Sequence, residues 1–239
     1  MPDSRTHRGQ NPKDEELFLH RNIIDIKAAS VDMCLLLTKG YSENAVLKLI
    51  GDRFCFTTRQ RLAVLRASCS DRQKFIRERS HVRPHLINEQ NIAIDGYNLL
   101  ITIEAAMSGG YIFIGHDGCY RDLASVHGTY RTVEETIPAI KLVSKTLKEL
   151  NAAEISWYFD EPVSNSGKLK SLLTQFSEKN GLGWRIELAQ NPDSILKETD
   201  DIVVSSDSAI IDNCTRWTNL AGYIIKNKIS SNENIVDLN

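Results

Sequence analysis

The sequence predicts an α/β protein, in which a mostly parallel sheet flanked by helices follows a small all-helical N-terminal domain. Beyond residue 91, short apolar runs alternate with longer amphipathic segments, as strands and helices do in a parallel α/β sheet. Before residue 84, apolar residues recur at helical intervals instead. The predicted divisions are a disordered tail over 1–15, a helical basic domain over 16–86, an α/β domain over 87–230 and a second tail over 231–239.

Three segments of the N-terminal domain have helical character. Apolar residues recur at helical spacing over 17–37, and Gly40 stops the pattern. A shorter helix is expected over 45–50. Thr57 and Gln60 have the spacing of a capping box, which predicts the start of a third helix.

The same domain is strongly basic. Between Arg53 and Arg83 there are nine Lys and Arg residues and two acidic ones, so this segment has a net charge of +7 and the remainder −9. Such asymmetry suggests that the segment contacts either a nucleic-acid backbone or the acidic domain beside it. Both interpretations stay open, and in the first of them Arg59, Arg61 and Arg66 contact phosphates.

The C-terminal domain contains alternating predicted strands and helices. Strands are predicted at 92–95, 111–114, 154–159, 184–188 and 201–205, with a last one near 221–225. Helices are predicted at 133–150, 169–179 and 208–217.

Composition and absent motifs argue against several classes of protein. No apolar stretch approaches the roughly 20 residues that a membrane span requires, and the N-terminus has no apolar signal core. The five cysteines are widely spaced and include no C-x-x-C pair, which favours free thiols. The motifs of nucleotide hydrolases, dinucleotide oxidoreductases, serine hydrolases and zinc proteases are absent. We therefore expect a cytoplasmic protein without a membrane partner.

Three predicted strands end in or run into an aspartate, namely Asp95, Asp160 and, after Ser205 and Ser206, Asp207. Ligands of an open parallel sheet bind at the carboxyl ends of its strands, so we expect these side chains on one rim, with Asp212 as an auxiliary fourth. Any single one of them could simply cap a helix. Carboxylates packed together repel unless a proton or a divalent cation neutralises them, and oxygen-only ligands suit Mg²⁺ or Mn²⁺. Ions held in this way promote phosphodiester cleavage.

Two motifs resemble those of a known nuclease fold. The segment I-A-I-D-G-Y-N at 92–98 resembles the opening strand and turn of the NYN branch of the PIN-like nucleases. The segment V-V-S-S-D-S at 203–208 is similar to a PIN-like motif in which a strand ends in Ser or Thr, one residue and Asp. The resemblance implies a PIN-like fold in which Asp95 and Asp207 are metal ligands and Asp160 matches a further acidic strand end.

The same resemblance assigns supporting roles. It implies that Asn98 braces the site or contacts phosphate, and that Ser205 orients the carboxylates by hydrogen bonding. PIN-like nucleases also place an acidic residue on a helix after the first strand, and either Glu134 or Glu135 is the expected match. The whole chain, including T-R-Q-R-L-A-V-L-R, resembles an archaeal and bacterial family known as domain of unknown function four-three-four, which implies no activity.

Two further segments are candidates for phosphate binding. A polar loop after the second predicted strand contains Arg121, His127 and Arg131. The arginines would hold phosphates and His127 would move protons, although a solvated loop is an equal alternative. A turn that contains Ser164 and Ser166 would cradle a phosphate at a helix N-terminus or simply cap that helix.

The sequence thus predicts a Mg²⁺- or Mn²⁺-dependent nuclease that acts on RNA, with Asp95, Asp160 and Asp207 as its core. One alternative is a catalytically inactive RNA-binding or scaffold protein of the same fold. Another is a metal-dependent phosphatase. The sequence also leaves a homodimer open.

Overall fold

The structure, a computed structural model, describes residues 6–9, 11–124, 128–229 and 232–239. The helices are α1 (Asp14–Leu17), α2 (His20–Thr38), α3 (Glu43–Arg53), α4 (Thr58–Ala67), α5 (Asp71–Ser80), α6 (Gly96–Met107), α7 (Thr136–Glu149), α8 (Ser166–Lys179), α9 (Pro192–Glu198), α10 (Ser208–Ile211) and α11 (Leu220–Lys228). The strands are β1 (Ile92–Asp95), β2 (Ile112–Ile114), β3 (Tyr120–Asp122), β4 (Ile155–Asp160), β5 (Arg185–Ala189), β6 (Ile202–Val204), β7 (Trp217–Thr218) and β8 (Ile235–Asp237).

The first five helices form the helical region that the sequence predicts. Helix α4 begins with the expected capping box of Thr57 and Gln60, and α5 begins with a second box of the same kind. Helix α2 packs against α3 and α4, and its buried residues Ile26 and Met33 belong to a core that also includes Phe113 of β2. The helical region is therefore packed onto the rest of the protein through shared apolar side chains.

The main sheet has the strand order β5-β4-β1-β6-β7, and all of its strand pairs are parallel. Successive side chains of its central strand β1 point into two different cores. Ile92 and Ile94 face the core that α6, α7, α8 and α11 cover, whereas Ala93 faces the core that α9 and α10 cover. This arrangement confirms the predicted mostly parallel α/β sheet with helices on its faces. Because β4, β1 and β6 are adjacent and parallel, their carboxyl ends lie at one edge.

A second, three-stranded sheet has the order β3-β2-β8. The sequence predicts segment 111–114 as a strand of the main sheet, but the structure pairs β2 with β3 in antiparallel and with β8 in parallel. The physical reason is packing, because the Phe113 ring lies against Phe18 of the helical region. The C-terminal segment, predicted as a tail, supplies β8.

The predicted strand near 221–225 is wrong. This segment lies within α11, and the Asn219 side chain accepts a hydrogen bond from the Gly222 backbone at 2.9 Å, which caps the helix. The apolar run was too short for its period to distinguish a strand from a buried helix.

The described part of the predicted N-terminal tail makes specific contacts. The Arg8 guanidinium donates to the buried Glu104 carboxylate at 2.9 Å, and His7 Nδ1 lies 2.6 Å from Glu135 Oε1. Asp14, in α1, has no exposed surface and pairs with Arg59. In the part of the chain that the structure describes, no helix is both long and apolar enough to cross a membrane.

Candidate functional site

The two sequence motifs meet at the carboxyl edge of the main sheet. The Ser205 hydroxyl donates a hydrogen bond to Asp95 Oδ2 at 2.8 Å and accepts one from the Asp207 backbone N–H at 3.0 Å. Asp95 ends β1 and also caps α6, while Asp207 caps α10 through the Ala209 backbone N–H at 2.7 Å. One hydroxyl thus links the end of β1 to the turn that carries Asp207.

Asn98 and Gly96 hold this arrangement in place. The Asn98 side-chain carbonyl accepts hydrogen bonds from both the backbone N–H and the hydroxyl of Ser206, at 2.9 and 3.0 Å. A Cβ atom at Gly96 would lie 2.2 Å from the Phe159 ring, so only glycine permits α6 to start this close to β4. The D-G-Y-N turn therefore braces the neighbouring S-S-D turn directly.

Burial controls the charge of Asp95. Burial, together with the nearby Asp207 and Asp193 carboxylates, raises the pKa of this carboxyl to about 7. The hydrogen bond from Ser205 acts in the opposite direction. Near neutral pH, Asp95 therefore exchanges readily between its charged and uncharged forms, as is typical of carboxyls at functional sites.

Asp160 lies further along the sheet than Asp95. Asp95 is in register with Tyr158, so Asp160 ends β4 two residues beyond it, a difference of about 7 Å along the strand. Burial raises the pKa of Asp160, and Asp193 raises it further. Asp193, at the start of α9 after β5, thus influences both carboxyls and is a residue that the sequence interpretation missed. Its position after a predicted strand was the signal that could have identified it.

The predicted metal ligands do not form one compact group. Within residues 6–9, 11–124, 128–229 and 232–239, no three or more His, Cys, Asp and Glu side chains cluster closely enough to hold a metal ion. The Asp95 and Asp207 pair nevertheless fits a magnesium-type ion, since such ions are commonly held by one or two carboxylates together with water and substrate phosphate. A cation would also offset the burial and the repulsion from Asp207 that raise the Asp95 pKa.

Asp212 belongs to a different cluster. Its carboxylate accepts hydrogen bonds from Arg77 Nε at 2.6 Å and from the Gln73 amide at 2.9 Å. Arg77 is only 1% exposed and also donates to the buried Asp117 at 2.5 Å. The structure thus places Asp212 in an ion-pair network that joins α5 of the helical region to the α/β domain.

Arg121 connects that network to the candidate site. Its guanidinium pairs with Asp117 and donates through Nε to the Ser206 carbonyl oxygen at 2.8 Å. A further hydrogen bond at 3.0 Å reaches the Arg66 carbonyl oxygen at the end of α4. Arg121 therefore positions the turn that leads into Asp207.

All three arginines considered for nucleic-acid contact form hydrogen bonds within the chain. Arg59 pairs with Asp14 and donates to the Leu123 carbonyl oxygen at 3.2 Å. Arg61 donates to Asp52 at 2.7 Å. Arg66 donates to the carbonyl oxygens of Asp122 and Ala124. Two of them, Arg59 and Arg66, thus reach residues of the α/β domain or the segment beside it, as internal docking requires.

Replacing Arg59 by Ala is expected to lower the free energy of unfolding by about 2 kcal/mol, because the buried Asp14 carboxylate would lose its partner. The control Lys48→Ala removes the same charge from an exposed pair and should change stability by less than about 0.5 kcal/mol. Urea unfolding of both variants measures the difference. Equal stability of the two variants would show that the buried Arg59–Asp14 pair does not contribute to stability.

The remaining sequence candidates lie away from the Asp95 and Asp207 pair. Arg131 accepts a hydrogen bond from Arg8 through its carbonyl oxygen. Glu135 contacts His7, and the exposed Glu134 lies on the same turn. Ser164 and Ser166 hold the turn before α8 through backbone and side-chain hydrogen bonds, while His127 lies outside the described residues.

The acidic residue on the helix after the first strand is Glu104 of α6, which sequence interpretation missed. It has no exposed surface and accepts hydrogen bonds from Arg8, Tyr130 and Thr136. Burial raises its pKa. Its position as the one acidic residue of α6 was the signal in the sequence.

Comparisons with known proteins relate the two regions to two families. The family described as "Domain of unknown function (DUF5616)" matches residues 84–223, more than half of the chain. The family described as "Protein of unknown function (DUF434)" matches residues 25–79, within the helical region. An uncharacterized protein of Methanocaldococcus jannaschii is 29% identical over 188 residues, which cover 79% of this chain and 89% of that protein. No solved structure matches the chain. The chain therefore belongs to the DUF5616 family, whose matched segment includes both Asp95 and Asp207.

Proposed function

We propose that the protein is a Mg²⁺- or Mn²⁺-dependent phosphodiesterase, a ribonuclease of PIN-like fold, that acts at the Asp95 and Asp207 pair. The proposal rests on one observation, the Ser205 hydroxyl that hydrogen-bonds Asp95 and the Asp207 backbone at the carboxyl edge of the sheet. Ligands of open parallel sheets bind at this edge. The D-G-Y-N and S-S-D motifs that resemble those of the PIN-like nucleases are the residues that meet there.

Asp95 and Asp207 are the residues that would hold the ion. It would supply positive charge that neutralises the pair and polarises a scissile phosphate. Ser205 fixes the orientation of the Asp95 carboxylate, and Asn98 fixes the turn before Asp207 through Ser206. These contacts limit the movement of the two carboxylates, as a precisely positioned metal site requires.

Asp207→Asn is expected to reduce Mn²⁺-dependent cleavage of a labelled single-stranded RNA by more than about 100-fold, because the substitution removes a ligand charge. Asp207 is exposed, and Asn caps helices as well as Asp does, so the fold should be retained. The matched control is Asp200→Asn. Asp200 is exposed and precedes β6, whereas Asp207 follows this strand. It should cleave like the wild type.

Other outcomes of this assay identify the alternatives. Equal cleavage by the wild type and Asp207→Asn would indicate a contaminating nuclease and refute the assignment. Metal-dependent RNA binding without cleavage would favour an inactive RNA-binding protein. Hydrolysis of a phosphate monoester, lost in Asp207→Asn and without RNA cleavage, would favour a phosphatase.

A further inference from the structure

A cavity of about 640 Å³ lies between the helical region and the carboxyl edge of the main sheet. Small-molecule sites in proteins have volumes of about 300–1,000 Å³, so the space suits one nucleotide-sized ligand. Asp207 forms part of the wall, which places the cavity directly beside the candidate site. Neither region encloses this space alone.

The helical region contributes apolar and aromatic residues to the cavity lining, together with polar ones such as Glu43 and Gln73. Helix α2 and the turn after it contribute Leu37 and Tyr41, and α4 contributes Leu65. The Tyr41 side chain is 60% exposed. An aromatic side chain in this position offers a face on which a planar base can stack.

The carboxyl edge of the sheet contributes polar residues to the cavity lining, among them Asn98 and Ser208, and α4 adds Arg66 beside Leu65. The Arg66 side chain is 29% exposed, and its nearest carboxylate, that of Asp122, is 3.5 Å away. The positive charge of Arg66 is therefore less fully compensated than that of Arg77 or Arg121, both of which pair closely with carboxylates. An anion beside Arg66 would be attracted by the positive charge of the guanidinium and could accept hydrogen bonds from its N–H groups.

We infer that this cavity binds a single nucleotide unit, with its base against Tyr41 and Leu65 and its phosphate towards Arg66 and Ser208. The inference rests on the proposed function in naming a nucleotide as the substrate of the Asp207 site. The unit is either a free nucleotide or the terminal nucleotide of a strand, since both present the same base and phosphate. The helical region then takes part in substrate binding through the cavity wall.

Calorimetric titration with adenosine 5′-monophosphate in the presence of Mg²⁺ tests this inference. Tyr41→Ala should weaken binding about tenfold, the usual effect of losing one base–aromatic stack. Phe75→Ala removes a similarly exposed ring outside the cavity lining and should bind like the wild type. Arg66→Gln should also weaken binding, whereas Arg72→Gln, on the exposed surface of α5, should not. Absence of binding, or equal affinity in all five proteins, would overturn the inference.

Competition experiments identify the source of the nucleotide. Displacement of the monophosphate by a short single-stranded oligonucleotide indicates a strand end, and its absence indicates a free nucleotide. Both results support a one-nucleotide site. Nucleotide binding without any cleavage would refute the proposed nuclease but retain the cavity as a nucleotide site. Cleavage within RNA strands by a protein that does not bind the monophosphate would retain the nuclease and reject the cavity as its substrate site.

Discussion

Replacing Arg77 by Met is expected to lower the free energy of unfolding by about 3–5 kcal/mol. The Arg77 guanidinium donates to Asp212 at 2.6 Å and to Asp117 at 2.5 Å, and its side chain is 2% exposed. Methionine retains most of the apolar contacts of the Arg77 side chain, but it leaves the carboxylates of Asp117 and Asp212 without the guanidinium as a partner. Arg77 also links α5 to the α/β domain, so its loss should weaken the docking of the helical region.

Urea unfolding measures this effect, and Arg72→Met provides the control. Arg72 is exposed on the same helix, so its substitution should change stability by less than about 0.5 kcal/mol. If Arg77→Met also changed stability by less than about 0.5 kcal/mol, the result would contradict a structural role for the ion-pair network.

The arginines beside Asp117 hold the pKa of its carboxyl well below the ordinary value. The contribution of Asp117 to stability is therefore present above about pH 4 and decreases as the pH falls further.

Replacing Asp95 by Asn is expected to stabilise the metal-free protein by up to about 4 kcal/mol at pH 8. The pKa of this carboxyl rises from 3.8 to about 7 on folding, so between these values the folded state binds more protons than the unfolded state. Stability therefore falls as the pH rises through this range, and the full cost is present above about pH 7. Asn has no charge and caps helices equally well, so it removes the cost.

Unfolding experiments at pH 4 and pH 8 test the sign of this effect. The stabilisation by Asp95→Asn should be small at pH 4, where the folded wild type is protonated at this residue, and large at pH 8. The control Asp200→Asn should change stability little at either pH, because Asp200 is exposed. An effect of Asp95→Asn that is the same at both pH values would mean that Asp95 does not titrate near neutrality.

The sequence was most informative where local signals coincide. The apolar run 92–95 followed by D-G-Y-N predicted β1 and the turn after it, whereas the helix α6 that begins at this turn was not predicted. The alternation of strands and helices predicted that β4, β1 and β6 are parallel, although it did not give their order in the sheet. A shared edge for Asp95 and Asp207 could therefore be predicted from sequence alone.

Features that depend on register or on distant contacts could not be predicted. The offset of Asp160 by two residues follows from the pairing of Asp95 with Tyr158, which no local pattern specifies. The sequence left open whether the charge run that contains Arg77 contacts nucleic acid or the acidic domain, and it could not indicate that Arg77 pairs with Asp117 and Asp212 far along the chain. The second sheet combines segments at 112–114, 120–122 and 235–237 that only tertiary packing brings together.

Titration with Mn²⁺, followed by the electron paramagnetic resonance signal of the free ion, tests the central claim most directly. If Asp95 and Asp207 hold the ion, the wild type binds Mn²⁺ at pH 8, and Asp95→Asn and Asp207→Asn each weaken binding by more than about tenfold. Asp200→Asn binds like the wild type. Equal Mn²⁺ affinity in the wild type and in both carboxylate variants would contradict the assignment of this pair as a metal site.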